Sequence, residues 1–221
     1  MKHLKKFRTK TDLAIMASPN VILLLDTNEV LYNVDVGGVF IQHIDGNLYV
    51  ADEWSARGFS NDEANGVAVI AKEASFVIAK EDIDEYPRMW IFDYNPKLID
   101  GILVSTDESV AITDFAGKQN TELMLQLDTA GAAYCCANYT FPNGKKGYLP
   151  ALGEFEVASR NYPAIRKALN LIGGTLFRGA NYYWSSTQAT AGGAWYSNIM
   201  IPSSGYYNKI SVEYVRAFTT L

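Results

Sequence analysis

Cysteine and histidine are scarce in this chain, with two of each among 221 residues. Two cysteines cannot build a disulfide framework. Cys135 and Cys136 are adjacent on an expected helix, so their thiols point about 100° apart and cannot share a metal. They read as reduced, with at least one buried. Neither His3 nor His43 has a Ser or Cys nearby in sequence that would suggest a nucleophile and its base. Phosphate-loop and dinucleotide glycine fingerprints are missing. Long apolar runs are missing too: Val21 to Leu25 is far too short to cross a bilayer. Acids almost vanish toward the carboxyl end, where Glu213 is the only one after Val157.

Hydrophobic residues make up 48% and aromatics 13%, enough to form a real core and to exclude a disordered chain. Twenty-four acids against 19 bases give a net charge of -5. That balance argues against a phosphate-binding face over the whole molecule, and no nucleic-acid partner is expected. Asp52-Glu53, Asp62-Glu63, Glu81-Asp82 and Asp84-Glu85 are acid pairs beside turns, where carboxylates are usually solvated. None has the spacing of a calcium loop. No catalytic residue, metal or cofactor is assigned.

Lys2, Lys5, Lys6, Arg8 and Lys10 precede Leu13 to Ala17 and mimic an export signal. Ser18-Pro19-Asn20 interrupts the apolar run early, so a short helix capped near Thr11 or Asp12 is the favoured reading. Asn138-Tyr139-Thr140 matches a glycosylation acceptor by chance. Asn20 to Leu25 and Glu29 to Val34 read as strands around a turn at Asp26 to Asn28. Gly38 to Ile44 and Asn47 to Val50 flank Asp45-Gly46, a tight-hairpin dipeptide. Residues 1–52 therefore read as a small β-rich attachment or oligomerisation region.

From residue 53 the pattern changes. Gly66 to Ala71 and Ser75 to Ala79 read as paired strands. Thr121 is placed as the cap of a helix through Leu127, and Ala130 to Tyr139 as a second helix. A third starts near Ala151, is broken or kinked by Pro163 and ends at Gly173-Gly174. Tyr183 to Ser186, Ala194 to Ile201 and Tyr214 to Phe218 are short strands, with turns at Gly192-Gly193 and Pro202 to Gly205. Strands, then helices, then strands, without βαβ alternation, predict an α+β fold with antiparallel sheets.

The carboxyl-terminal stretch combines Tyr182, Tyr183, Tyr196, Tyr206, Tyr207, Tyr214, Trp184 and Trp195 with small polar residues. Rigid aromatics among Ser, Thr, Gly and Asn are the recipe of a binding surface, and equally of ordinary tyrosine-rich sheet.

Tyr183-Trp184-Ser185-Ser186-Thr187-Gln188, Ala194-Trp195-Tyr196, Lys209 and Tyr214-Val215-Arg216-Ala217-Phe218 together resemble the signature of C-type-lectin-like domains. More narrowly, they resemble the variable proteins of diversity-generating retroelements in gut Bacteroidetes and their phages. Ala64 to Ile70, Tyr139 to Gly144 and Gly147 to Glu154 fit the same family, and residues 1–52 resemble its leader region. The resemblance implies a C-type-lectin-like ligand-binding domain over 53–221, with a variable segment at about 178–214.

It also implies a non-enzymatic protein whose ligand surface is rewritten at asparagine codons ending in a pyrimidine. Such codons cannot become Met, Trp, Gln, Lys or Glu, so Trp184, Gln188, Trp195, Met200, Lys209 and Glu213 are fixed. Arg178, Ala180, Asn181, Tyr182, Ala189, Thr190, Ala191, Ser197, Ile199, Ser203, Ser204, Tyr206, Tyr207, Ile210 and Val212 remain as candidate contacts. Trp184 and Trp195 are expected as core anchors, with Val215 and Ala217 buried behind them. In an extended strand Ser197 and Ile199 share one face, and Tyr196 and Asn198 the other.

The expected partner is an unknown protein or glycan on a target cell surface. The chain would sit on a phage tail or a cell-surface assembly as a homo-oligomer, most simply a trimer. With no Asp and only Glu213 in 178–214, the segment argues against a calcium-dependent sugar site of the lectin kind. A structural fibre or pilus subunit is the alternative. An enzyme related to formylglycine-generating proteins fits less well, because both cysteines lie far ahead of the final strands.

Overall fold

The computed structural model describes residues 37–84, 86–92 and 97–221 in full, and 4–8 and 29–33 as backbone. Strands β1 (Leu4–Arg8) and β2 (Glu29–Asn33) pair antiparallel. The expected helix near Thr11 and the expected strand over Asn20 to Leu25 lie outside the described residues.

Strand β3 (Gly38–His43) turns through Asp45-Gly46 into β4 (Leu48–Tyr49), as the hairpin dipeptide predicts. Gly46 sits at φ 90°, and the Asp45 carboxylate accepts the Asn47 N–H at 2.8 Å. Helix α1 (Ala51–Arg57) and a 3₁₀ turn (Asn61–Glu63) lead into β5 (Ala64–Ile70), and β6 (Ser75–Ile78) follows. The last strand, β12 (Phe218–Thr219), closes the sheet in the order β12-β6-β5-β3-β4. The boundary expected at residue 52 is therefore corrected. β3 and β4 lie before it, yet β3 pairs along its length with β5 in this sheet.

Every residue of β5 is buried. Its apolar run does not alternate with polar residues because both faces of the strand are covered. On one face Ala68 and Ile70 join Phe40, Val77, Trp90, Trp184, Val215 and Ala217. On the other, Val67 and Val69 join Phe76, Phe155, Ile165, Leu169, Tyr183 and Phe218. Helices α5 (Leu152–Arg160) and α6 (Tyr162–Leu171) supply much of that second layer. The break expected at Pro163 falls between them, with the proline in the first turn of α6.

Further elements were invisible as sequence patterns: α2 (Glu108–Ala111), β7 (Arg88–Met89) and β11 (Val212–Glu213). Helix α3 (Gly117–Met124) begins four residues before the expected cap. Thr121 lies inside it, donating to the Gly117 carbonyl at 2.8 Å and accepting the Leu149 N–H at 2.9 Å. Helix α4 (Ala132–Asn138) buries Cys136 and half-buries Cys135. Antiparallel sheets and several helices make the chain α+β, as predicted.

The carboxyl-terminal segment is clamped to the turn after β6 by a buried ion pair. Arg216 is fully buried; its Nε donates to Asp82 Oδ1 at 2.8 Å and its Nη1 to the Thr175 carbonyl at 2.9 Å. Its guanidinium also lies 4.1 Å from the centroid of the Phe177 ring. The other Asp82 oxygen accepts from Arg178 Nε and from the Tyr183 hydroxyl, both at 3.1 Å. Arg216→Ala leaves a buried carboxylate without its main partner and should cost about 3–5 kcal/mol in urea denaturation. Arg178→Ala removes a partly exposed arm of the same cluster and should cost under about 1 kcal/mol.

Candidate interaction surface

Strands β8 (Tyr183–Gln188), β9 (Gly193–Asn198) and β10 (Ser203–Asn208) form a separate antiparallel sheet in the order β10-β9-β8. β8 and β9 are largely buried, whereas β10 is exposed and forms the edge. Pro202 to Gly205 was expected as a turn, but β10 begins at Ser203. The turn between the strands instead occupies the residues just before it. The Asn198 side chain organises that turn by accepting the N–H groups of Met200 and Ile201, each at 3.0 Å.

Residues directly opposite in an antiparallel pair share a face. Tyr206 lies opposite Trp195 and Ser204 opposite Ser197, while Tyr207 lies opposite Ala194 and Gly205 opposite Tyr196. Neighbouring tyrosines thus point to opposite faces. On the first face the Tyr206 ring packs edge-on against Trp195, 5.4 Å between centroids, and the Ser204 hydroxyl donates to Glu108. On the second, the Tyr196 ring packs at a tilt against Tyr182, 4.3 Å between centroids, and against Tyr207 at 4.5 Å. A Cβ at Gly205 would run into the Tyr196 hydroxyl, so this glycine lets the ring lie across β10. Burial and the neighbouring Tyr207 hydroxyl push the Tyr196 phenol well above its ordinary 10.

Of the candidate contacts, Arg178, Ala180, Thr190, Ser203, Tyr206, Tyr207, Ile210 and Val212 are exposed. Asn181, Tyr182, Ala191 and Ser204 are half-buried. Ala189, Ser197 and Ile199 are corrected: all three are at most 5% exposed and do not reach an outer surface. Ile199 packs with Tyr183 and Phe177, and Ser197 lies between β8 and β10 on the inner part of the sheet. The outward residue of β9 is Tyr196, which alternation alone could not show because both faces of β9 begin in the core. Arg178 is already engaged, bonded to Asp82 and lying 4.3 Å from the Tyr214 ring centroid.

The scaffold positions are deeply placed. Trp184, Trp195, Val215 and Ala217 are all at most 3% exposed. The indole N–H of Trp184 donates to the Arg88 carbonyl and that of Trp195 to the Ser105 carbonyl, each at 2.8 Å. Gln188 and Lys209 are buried as well. Gln188 exchanges side-chain hydrogen bonds with both backbone groups of Ile99, at 2.9 and 3.0 Å. Lys209 Nζ donates to Gln188 Oε1 at 2.9 Å and to the Lys97 carbonyl at 3.1 Å, above the Trp90 ring. This polar knot fastens the chain around 97–105 to the back of the sheet.

The carboxylates are largely committed to structural contacts. Asp52 pairs with Lys167, Glu53 with Arg57 and Asp84 with Arg88. Asp114 accepts from Ala116, Asn120 and Thr187. Glu154, held up to about 7 by burial, accepts the Ala151 N–H and the Tyr148 hydroxyl. Glu85 lies outside the described residues. Among the described residues no group of three or more His, Cys, Asp or Glu is arranged to hold a metal. Burial raises both thiols, Cys136 more strongly, which makes them poor nucleophiles.

No protein-family model matches the chain, and no curated protein does. A solved fimbrial protein from Bacteroides ovatus ATCC 8483 is similar in fold, with a TM-score of 0.56 at 13% identity. The likeness covers 82% of this chain and 48% of that one, so the chain spans about half the fimbrial protein's length. No described helix is long and apolar enough to cross a membrane.

Burial lowers the Lys209 ammonium from its ordinary 10.5 to about 8. The folded chain then gives up this proton before the unfolded chain does, so the group adds stability as pH climbs from about 8 toward 10.5. Urea denaturation of wild type and Lys209→Met across that window checks the sign. The stability difference, wild type minus variant, should widen with pH, and a constant difference would contradict it.

Proposed function

We propose that this chain is a non-enzymatic component of a surface fibre that holds another macromolecule through its carboxyl-terminal aromatic sheet. The observation that carries the reading is an edge strand with Tyr206 and Tyr207 exposed on opposite faces of a rigid, buried backing. Aromatic rings on a fixed frame supply contact area at small entropic cost. An unpaired edge also offers main-chain donors and acceptors to a partner. The fold likeness to a fimbrial protein supports the fibre setting. Photo-crosslinkers placed at positions 206 and 207 of the full chain, on cells displaying it, test the reading. Capture of a second copy identifies a fibre contact and capture of a different molecule identifies a ligand. No capture from either position would refute the reading.

A second reading is that this surface is diversified, within a C-type-lectin-like frame, as in retroelement variable proteins. It is favoured by one observation: Trp184, Gln188, Trp195 and Lys209, which the codon rule excludes from variation, are buried, whereas most admitted residues reach solvent. Exposed Met200 departs from that division. The DNA beside the coding region decides. A near-copy of the segment for 178–218 that differs mainly at adenines, with a reverse transcriptase gene close by, is the expected finding. Without both, the reading fails.

A further inference from the structure

Glu213 is the only acid after Val157, and its half-buried carboxyl group has no hydrogen-bond or ion-pair partner among the described residues. Its position is fixed by two backbone bonds: the Tyr214 N–H donates to the Tyr182 carbonyl, and the Trp184 N–H to the Tyr214 carbonyl, both at 3.0 Å. This parallel bridge pairs Tyr183 with Tyr214, so Glu213 falls on the same face as Tyr182. That face also carries Tyr196 and Tyr207, opposite Gly205 and Ala194 in β10 and β9. Tyr182 and Tyr207 are 6.3 Å apart on either side of Tyr196, and the Glu213 charge is close enough to act on the Tyr196 phenol. Arg88 is the Cα partner of Glu213 across β7 and β11, but its guanidinium turns to Asp84, 2.7 Å away.

Three electron-rich rings on the same face as a carboxyl group with no partner among the described residues are complementary to a positive charge. Ring faces attract cations through their quadrupole, and the carboxylate adds a charged acceptor. We propose that Tyr182, Tyr196, Tyr207 and Glu213 form a receptor site for a cationic side chain, lysine or arginine, projecting from a protein partner. The inference rests on the reading of this sheet as an interaction surface and names what that surface recognises. Burial without a partner holds the Glu213 carboxyl up to about 7, a penalty that an incoming cation would relieve. Glu213 is the only acid after Val157, and the carboxylates that reach the sheet from elsewhere, Glu108 at Ser204, Asp82 at Tyr183 and Asp114 at Thr187, already accept hydrogen bonds there.

The test titrates the full chain with N-acetyl-arginine amide, N-acetyl-lysine amide and the neutral N-acetyl-citrulline amide, following tyrosine ring signals by NMR. Saturable shifts of the Tyr182, Tyr196 and Tyr207 rings are expected with at least one cationic probe and not with citrulline. Comparing the arginine and lysine arms identifies the preferred cation. Glu213→Gln, which removes charge from a side chain with no partner, should weaken binding by about fivefold or more. Tyr207→Ala should weaken it too, whereas Tyr134→Ser, at an exposed tyrosine on α4 outside this sheet, should leave it unchanged. Equal shifts with citrulline, no shifts with either cation, or full binding by Glu213→Gln would overturn the proposal. Capture from position 206 or 207 in the crosslinking experiment together with such a result would sink the cation site alone and leave the interaction surface standing.

Discussion

The carboxyl-terminal part of the fold depends on where the Arg216 charge goes. A guanidinium with no solvent exposure must have its donors met inside the protein, and Asp82 and Thr175 meet them. Those partners come from the turn after β6 and from the chain leaving α6, so the requirement draws two distant loops onto the final strand. Backbone bonds follow the same line: the Ala79 N–H reaches the Ala217 carbonyl and the Ile83 N–H the Val215 carbonyl. Asp82 also holds Tyr183, the first residue of β8, which couples the five-stranded sheet to the three-stranded one.

That coupling explains how a rigid frame and an open edge coexist. Trp184 and Trp195 face opposite sides of their sheet, one into the main core and the other against Ala111, Leu152 and Ala189. Each indole N–H is tied to a carbonyl of the long connection between β6 and α3. The Gln188–Lys209 knot fastens the same connection a third time. With its backing secured at these points, β10 can carry exposed tyrosines without needing to bury them. The side chains that could change at least structural cost are those on β10 and the turns flanking it, because few of them touch the core.

Much of this was legible in sequence where the signal was local. The Asp45-Gly46 hairpin, the β5 and β6 strands, the break at Pro163 and the burial of Trp184 and Trp195 follow from turn chemistry and side-chain type. The misreadings share one cause. Pro202-Ser203-Ser204-Gly205 has turn composition, yet Ser203 to Gly205 lie in a strand because β9 offers a ladder to pair with. Thr121 is a good cap by type, yet it serves inside α3 as a link to Leu149. Ser197 and Ile199 are small or apolar residues that suit either side of a sheet, and only packing assigned them inward.

Amino-acid type and spacing determined the class of fold, the segments able to form strands and helices, and the concentration of aromatics with almost no acid near the carboxyl end. These are properties of short stretches, fixed by backbone preference and by side-chain chemistry. Tertiary structure alone decided that β3 joins the main sheet and that Tyr206 and Tyr207 part to opposite faces. It also decided that Glu213, without a partner among the described residues, shares a face with three tyrosine rings. Each of those outcomes depends on which distant strand a segment pairs with, and a one-residue change of register would exchange every inward side chain for an outward one.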